Sequence, residues 1–191
     1  MIRTLRITIP ALLLASFTAL AETQTVTLLT DDGDETCDAT CTLRDALLAA
    51  TISPGPSEVR FQGGLAGTIT LASKLTVNGD DITVIGPGPR LLSVSGDDQF
   101  VTLEISSNSD NFTIKSLTIR DGFAEGTSGA GIVVRGTNVL LENLRVIDNH
   151  HTSQGGGINM GGGGTIRNVP QNAGLRGRLD RSAARSRNLG P

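Results

Sequence analysis

Hydrophobic and polar residues alternate along most of the chain, in short runs separated by Gly, Asn and Asp. A period of two is typical of β-strands that have one apolar and one polar face. The clearest runs occupy residues 25–29, 67–71, 75–77, 82–85, 91–94, 101–105 and 112–115. The pattern therefore predicts many short strands joined by tight turns.

One stretch, residues 42–50, has the periodicity of a helix instead. Leu43, Leu47 and Ala50 fall on one helical face. Thr42 and Asp45 have the spacing of a capping box at the start of this stretch. A Ser-Pro-Gly-Pro segment at residues 53–56 then ends it. We expect one short N-terminal helix.

The strand region repeats itself. Residues 111–121 match 138–148 at an offset of 27, and Gly129–Ile132 matches Gly155–Ile158 at 26. Residues 81–84 match 111–114 at an offset of 30, and residues 141–144 match 166–169 at 25. Repeats of this length with several short strands each indicate a solenoid.

The predicted fold is all-β, a right-handed parallel β-helix with a short N-terminal capping helix. Each coil would bury aliphatic side chains on the next, while Gly and Asn form the corners. A β-sandwich is the alternative, and the scarcity of two-residue hairpin signals disfavours it.

Composition agrees with an aliphatic core. The 191 residues include 24 Gly and five Phe but no Trp or Tyr. We expect four of the phenylalanines, Phe61, Phe100, Phe112 and Phe123, to serve mostly the core. This scarcity of aromatic residues weakens the case for a stacked glycan or nucleic-acid site.

Charge is unevenly distributed around a net value of −3. Residues 22–166 contain eight Lys or Arg against eighteen Asp or Glu, whereas residues 167–191 contain six Arg and one Asp. An acidic body argues against nucleic acid as a partner. Alternation stops after Val169, and we expect the basic tail, residues 170–191, to be disordered or a frameshifted reading of a longer gene. The alternative is a genuine tail that binds an anionic surface polymer.

The N-terminus predicts export. Residues 1–21 have the organisation of a signal peptide, with Arg3 and Arg6 before an apolar stretch and Ala19-Leu20-Ala21 at the expected cleavage site. The remaining divisions are a cap at 22–57 and coils at 58–169. We expect a secreted or cell-surface protein with no transmembrane segment in its mature chain.

The two cysteines, Cys37 and Cys41, lie in the cap. In an exported protein a structural disulfide is favoured over a zinc site, because both histidines are far away in sequence. The carboxylates at residues 31–34 leave calcium open as a ligand, although their spacing differs from that of a helix-loop-helix calcium site. No other cofactor is expected.

A family resemblance lies in Cys41-Thr42-Leu43-Arg44-Asp45-Ala46, preceded by Asp32-Gly33. This segment resembles the CSLREA-type N-terminal motif of bacterial secreted β-helix proteins, with Thr in place of Ser and Asp in place of Glu. The resemblance extends over about residues 25–169. It implies an exported, often surface-associated scaffold.

Candidate chemistry is sparse. Asp80-Asp81 and Asp97-Asp98 have the composition of corners, and Asp121 and Asp148 occupy equivalent repeat positions. The adjacent His150 and His151 lie in a segment that we expect to be a solvated loop. We therefore assign no catalytic, cofactor-binding or metal site from the sequence.

The sequence thus favours a non-enzymatic secreted or cell-surface β-helix scaffold, adhesive in character. Its expected partners are an extracellular polysaccharide or a surface protein. The alternative is a fragment of a polysaccharide lyase or glycoside hydrolase of the pectate-lyase-like β-helix class.

Overall fold

The computed structural model describes residues 21–126, 129–152 and 156–170, and the backbone of residues 175–177. The predicted signal peptide, apart from its last residue, and most of the basic tail lie outside these residues. The elements in chain order are β1 (Glu22–Val26), α1 (Leu43–Ile52), β2 (Ser57–Phe61), β3 (Gly67–Thr70), β4 (Leu75–Val77), β5 (Ile82–Ile85), β6 (Leu92–Ser95), β7 (Leu103–Ile105), β8 (Thr113–Lys115), β9 (Thr118–Arg120), β10 (Phe123–Ala124), β11 (Ile132–Val134), β12 (Val139–Glu142), β13 (Arg145–Ile147), β14 (His150–His151), β15 (Ile158–Met160), β16 (Gly164–Arg167) and β17 (Leu175–Gly177).

The strands stack into three larger parallel sheets, which form the faces of the molecule. Sheet A has the order β1-β2-β5-β8-β12-β16, sheet B has β13-β9-β6-β3, and sheet C has β17-β15-β11-β7-β4. A fourth, two-stranded sheet pairs β10 with β14. The chain therefore visits each face in turn, and the fold is an all-β parallel solenoid of about four turns. Among the described residues, α1 is its single helix.

The repeat offsets found in the sequence are the registers of the sheets. The matched pairs are Ile114 with Leu141, Ile132 with Ile158, Thr83 with Thr113, and Leu141 with Ile166. These pairs reproduce the offsets of 27, 26, 30 and 25 in that order. The parallel β-helix prediction is confirmed as a parallel solenoid.

Aliphatic residues fill the interior in rows that run from coil to coil. In sheet C, Leu75, Leu103, Ile132 and Ile158 lie one above another, and each is at most 4% exposed. The period-two alternation directs these side chains inward and their neighbours outward. Hydrophobic burial at about 25 cal/mol per Å² makes these rows the main stabilising element.

The corner between sheets A and B is formed by Ser116, Asn143 and Asn168, all with φ between 49° and 61°. Asn143 Nδ2 donates to Ser116 Oγ at 3.1 Å, and Asn168 Nδ2 donates to Asn143 Oδ1 at 2.9 Å. Asn tolerates the left-handed region better than most residues because its short polar side chain bonds locally. One side-chain ladder therefore joins three successive coils at this corner.

Helix α1 covers the first coil. It packs against β1, β2 and β4 through an inward face that includes Leu43, Ala46, Leu47 and Ala50. Thr42 is its N-cap, and the predicted capping box with Asp45 is present. Within the described segments, no helix has the length and apolarity needed to cross a bilayer.

The alternation of inward and outward residues can be tested on two adjacent leucines of β12. Leu141 is fully buried, whereas Leu140 is partly exposed on the outer face. We expect Leu141→Ala to lower the free energy of unfolding by about 2–5 kcal/mol, because it leaves a cavity between coils. Leu140→Ala is the matched control and should cost less than about 1 kcal/mol. Urea unfolding followed by circular dichroism measures both, and equal losses would contradict the register.

Candidate functional site

The motif residues lie where the N-terminal cap meets the first coil. Cys37 and Cys41 place their sulfurs at disulfide distance, 2.03 Å. Cys41 is fully buried, and its carbonyl accepts from the backbone N–H groups of Thr27, at 2.9 Å, and Leu28, at 3.2 Å. The Cys41 N–H in turn donates to Thr27 Oγ1 at 2.9 Å. The cysteine loop is thus held against the segment that follows β1.

Asp45 organises the acidic loop before the helix. Its Oδ2 accepts from the Thr42 backbone N–H at 3.1 Å and from the Thr42 hydroxyl at 2.7 Å, while Oδ1 accepts from the Glu35 N–H at 2.9 Å. A Cβ at Gly33 would lie only 2.0 Å from Asp45 Oδ2, so the loop can close onto this carboxylate only with glycine there. The Asp-Gly part of the motif therefore has a steric cause.

Arg44 joins the cap to the solenoid. Its guanidinium donates to both oxygens of Asp31, with Nη2 at 2.7 Å from Oδ2 and Nε at 3.1 Å from Oδ1, and also to the Ser73 carbonyl at 2.8 Å. Asp31 Oδ2 also accepts from the Ala72 N–H at 2.8 Å, and its side chain is 1% exposed. Leu43 and Ala46 are buried on the inward face of the helix. In this structure the motif residues make the contacts of a structural clamp.

The described parts of the chain contain no set of three or more His, Cys, Asp and Glu side chains arranged to hold a metal ion. Within the acidic turn that left calcium open, Asp31 is bonded to Arg44 and to backbone.

A second cluster lies at the corner after sheet B, on successive coils. We call it the acidic corner and define it by residues that follow β6, β9 and β13, together with the last residue of β9. Its members are Asp97, Asp98, Arg120, Asp121, Phe123, Asp148 and His150. The four aspartates all have φ between 50° and 55°, so both the Asp97-Asp98 pair and the equivalent Asp121 and Asp148 occupy turns.

Arg120 lies between the carboxylates of two coils. Its Nε donates to Asp121 Oδ2 at 2.7 Å, and its Nη2 lies 3.6 Å from Asp148 Oδ2. The hydrogen bond to Asp121 raises the pKa of Arg120, and the charges of Asp121, Asp148 and Asp98 act in the same direction. Ser95 Oγ also donates to Asp121 Oδ2, at 2.9 Å. Asp121 is thus held in place, while the Asp148 side chain stays 62% exposed.

Hydrogen bonds between the Asn149 side chain and the backbone fix the shape of this corner. Asn149 Oδ1 accepts from the Gly122 N–H at 2.8 Å, and Asn149 Nδ2 donates to the carbonyls of Ile119, at 3.2 Å, and Ile147, at 2.9 Å. A Cβ at Gly122 would lie 2.2 Å from the Ala130 carbonyl oxygen, so the two ends of the segment between β9 and β11 approach each other there only with glycine. The acidic corner is therefore built on a close-packed backbone.

Two aromatic rings stack beside the carboxylates. Phe123 and His150 are register partners, with ring centroids 6.0 Å apart and an angle of 18° between ring planes. His150 is exposed and Phe123 is half-buried, so this phenylalanine does not serve the core as expected. Phe112 does, with 0% exposure, and Phe61 and Phe100 pack partly buried against the core.

The prediction that both histidines lie in a solvated loop was wrong. They form β14, and His151 is 6% exposed because it turns inward beside Ala124. The offset of 27 that aligned Asp121 with Asp148 also aligns Phe123 with His150. That offset could have predicted that the histidines pair with Phe123 and Ala124. The strand itself could not be recognised, because two residues are too few to show an alternation of apolar and polar positions.

Two further polar residues, Asp81 and Arg145, lie apart from the acidic corner. Asp81 is in the turn that precedes β5, with φ of 54°, where its Oδ1 accepts from Asn111 Nδ2 at 3.0 Å. Arg145 is exposed on the outer face of β13. It is in register with Thr118, whereas Arg120 is in register with Ile147, two residues further along β13. Arg145 lines a shallow groove with Pro89 and Asn143.

Among the residues that the structure describes, three carboxyls outside the acidic corner have altered pKa values, all lowered. Hydrogen bonds lower the pKa of Asp38, from the Thr40 N–H, of Asp110, from the Thr137 hydroxyl, and of Glu104, from the Lys74 ammonium. Glu104 also accepts from Arg135 at 2.9 Å. It therefore links Lys74, which precedes β4, to Arg135, which follows β11. These groups stay ionised at neutral pH, which suits ion pairing rather than proton donation.

Comparison with known proteins reveals a structural relative. No family model matches the chain, and no curated protein sequence matches it. A solved structure of a pectin methylesterase mutant in complex with a hexasaccharide aligns with a TM-score of 0.51 and 15% identity. The chain is similar to it in fold. The alignment covers 75% of this chain and 48% of the esterase chain, so the present chain spans about half of that protein.

The clamp at the cap predicts different costs for two arginines. Arg44→Met would leave the Asp31 carboxylate buried without its guanidinium, and we expect a loss of about 2–3 kcal/mol in the free energy of unfolding. Arg60→Met removes an exposed pair with Glu58 and should change stability by less than about 0.5 kcal/mol. Thermal and urea unfolding of both variants provide the measurement. A loss at Arg44 no larger than that at Arg60 would contradict the clamp.

Proposed function

We propose that this protein is an exported β-solenoid that binds an extracellular polysaccharide at its acidic corner and acts as a scaffold rather than as an enzyme. The observation that carries the proposal is the pairing of two ladders. Stacked Phe123 and His150 lie beside stacked Asp121 and Asp148, each ladder advancing by one coil.

The chemistry of these ladders suits a sugar polymer. A sugar ring presents C–H groups to an aromatic face and hydroxyls to carboxylates, and both kinds of group are exposed here at His150 and Asp148. Neighbouring parallel strands are about 4.8 Å apart, so equivalent groups recur along the solenoid axis at that interval. A linear polymer lying along the axis would meet one aromatic ring and one carboxylate on each of these two coils.

Several features of the sequence complete the proposal. Residues 1–21 have the pattern of a signal peptide, and a cysteine pair at disulfide distance is compatible with an oxidising compartment. The contacts of Arg44 with Asp31, and of Asp45 with Thr42 and Glu35, support a structural role for the CSLREA-like segment. We also take the coils to be right-handed, because crossovers between parallel strands are right-handed in about 98% of cases.

A polysaccharide hydrolase or lyase is the second candidate, because Arg120 lies between two carboxylates on successive coils. Hydrolysis of a glycosidic bond requires one carboxyl to donate a proton while a second acts as base or nucleophile. Incubation with neutral and acidic polysaccharides, with and without calcium, separates the two functions. Binding without new reducing ends or unsaturated product is expected, and either product would establish the enzyme instead.

The aromatic ladder should carry part of the affinity. Truncating His150 to Ala removes the exposed ring, and we expect a roughly 5- to 100-fold weaker affinity for polysaccharide, the range for losing one stacked ring. Affinity electrophoresis in polysaccharide gels, confirmed by titration calorimetry with oligosaccharides, provides the measurement. The side chain is exposed, so the fold should persist.

The matched variant is His150→Tyr, which keeps an aromatic ring at the same register position. It should retain most of the affinity, while circular dichroism of both variants stays unchanged. Unaltered binding by His150→Ala would exclude the ladder as the binding surface. Loss of binding in both variants would point to the imidazole itself rather than to stacking.

A further inference from the structure

One exposed asparagine, Asn78, uses its amide differently from the asparagines of the corner ladders. It follows β4, and its Oδ1 accepts from Ser106 Oγ at 2.7 Å. The Asn108 N–H donates to the same Ser106 oxygen at 3.2 Å, so the donating hydroxyl is held in place. Asn111 and Asn143, in the ladders, act instead as donors through their amide nitrogens. The hydrogen bond from Ser106 therefore polarises the side-chain carbonyl of Asn78.

Helix α1 passes close to the next residue, Gly79. A Cβ at Gly79 would lie 3.0 Å from Thr51 Cα and 3.2 Å from Ile82 Cδ1, which is tighter than most Cβ contacts. Packing of the helix on the first coil thus favours glycine at this position. Glycine has no side chain to shield its N–H, and the Gly79 N–H has no hydrogen-bond partner among the described residues. Residues 78–79 are also the one Asn-Gly pair in the sequence.

The other asparagines lack this combination. The residue after Asn108 is Ser109, which is 2% exposed and whose N–H already donates to a backbone carbonyl at 3.1 Å. Asn111, Asn143 and Asn168 are followed by Phe, Leu and Val, whose side chains crowd the following N–H. An exposed amide, a polarised carbonyl and an unshielded backbone N–H therefore coincide at Asn78.

We propose that Asn78 is a site of spontaneous deamidation and isomerisation, and that this change loosens the cap. The Gly79 nitrogen loses its proton to solvent base and bonds to Asn78 Cγ, and the Cγ–Nδ2 bond then breaks to release ammonia. The Ser106 hydroxyl stabilises the negative charge that develops on Oδ1 during this step. Water then opens the cyclic imide at either carbonyl. One product is aspartate, and the other is isoaspartate, in which the backbone runs through the former side chain.

Both products alter the junction between the first coil and helix α1. Each brings a new carboxylate to a corner that already holds Asp80 and Asp110, where the Asp110 N–H donates to Asp80 Oδ1 at 2.7 Å. Isoaspartate also adds a carbon to the backbone immediately before Gly79, where Thr51 leaves little room. Thr51 belongs to the last turn of α1, so the displacement falls on the helix that covers the coil. The cap therefore weakens as the protein ages.

Incubation of the full chain in a mildly alkaline buffer, followed by peptide mass mapping, tests the site. We expect the Asn78 peptide to exchange ammonia for water, while the peptides of Asn111 and Asn143 keep their amides. Ser106→Ala should slow the reaction roughly 2- to 10-fold, the value of one hydrogen bond, whereas Ser106→Thr keeps the hydroxyl and should stay within about two-fold. Retention of the Asn78 amide while another asparagine converts, or an unchanged rate in Ser106→Ala, would overturn the proposal.

The link to the cap is tested by thermal unfolding before and after the same incubation. The aged wild-type protein should lose roughly 2–4 °C in Tm, and Asn78→Gln, whose longer side chain closes a ring less readily, should keep its Tm. Fresh Asn78→Asp carries the new charge without the lengthened backbone, so it should show a smaller loss than the aged protein. A wild-type Tm that stays constant after Asn78 has converted, or falls equally in Asn78→Gln, would overturn the effect on the cap.

Discussion

The structure depends on the in-register stacking of parallel coils. Each strand bonds to its equivalent on the next coil, so a side chain at any position lies about 4.8 Å from its counterpart. The inward rows of sheet C and the Ser116, Asn143 and Asn168 ladder both arise from this rule. The acidic corner obeys it as well, because Asp121 follows β9 as Asp148 follows β13, and Phe123 pairs with His150.

A stack of coils needs its first layer covered, since an open end would expose aliphatic rows and strand edges. Helix α1 supplies that cover, and the clamp between Arg44 and Asp31 holds it in place. Asp45 has a double use, as helix cap and as anchor for the Glu35 backbone. A short stretch of sequence thus combines helix initiation, loop closure and attachment to the coil below.

Much of this arrangement could be predicted from residues alone, because it is local or periodic. The capping box depends on a three-residue spacing, and the registers depend on repeat offsets that recur in the sequence. The pairing of Arg44 with Asp31 could not be predicted in this way, since the two residues are 13 positions apart and meet only because the segment between them folds back. The orientation of Phe123 was missed because an apolar ring was assigned to the core, whereas the turn after Asp121 directs it to the surface edge.

The spacing of coils has a consequence for how such a surface can vary. From β2 to β16, the offsets between paired strands range from 25 to 30 residues, so turns absorb small insertions without disturbing the ladders. Duplication of a whole repeat would add one more acid and one more ring to the corner, lengthening the contact in a discrete step. A shift by one residue within a strand would instead exchange core and surface. Added whole repeats therefore extend the acidic corner without disturbing the core, whereas a one-residue slip within a strand would disrupt both.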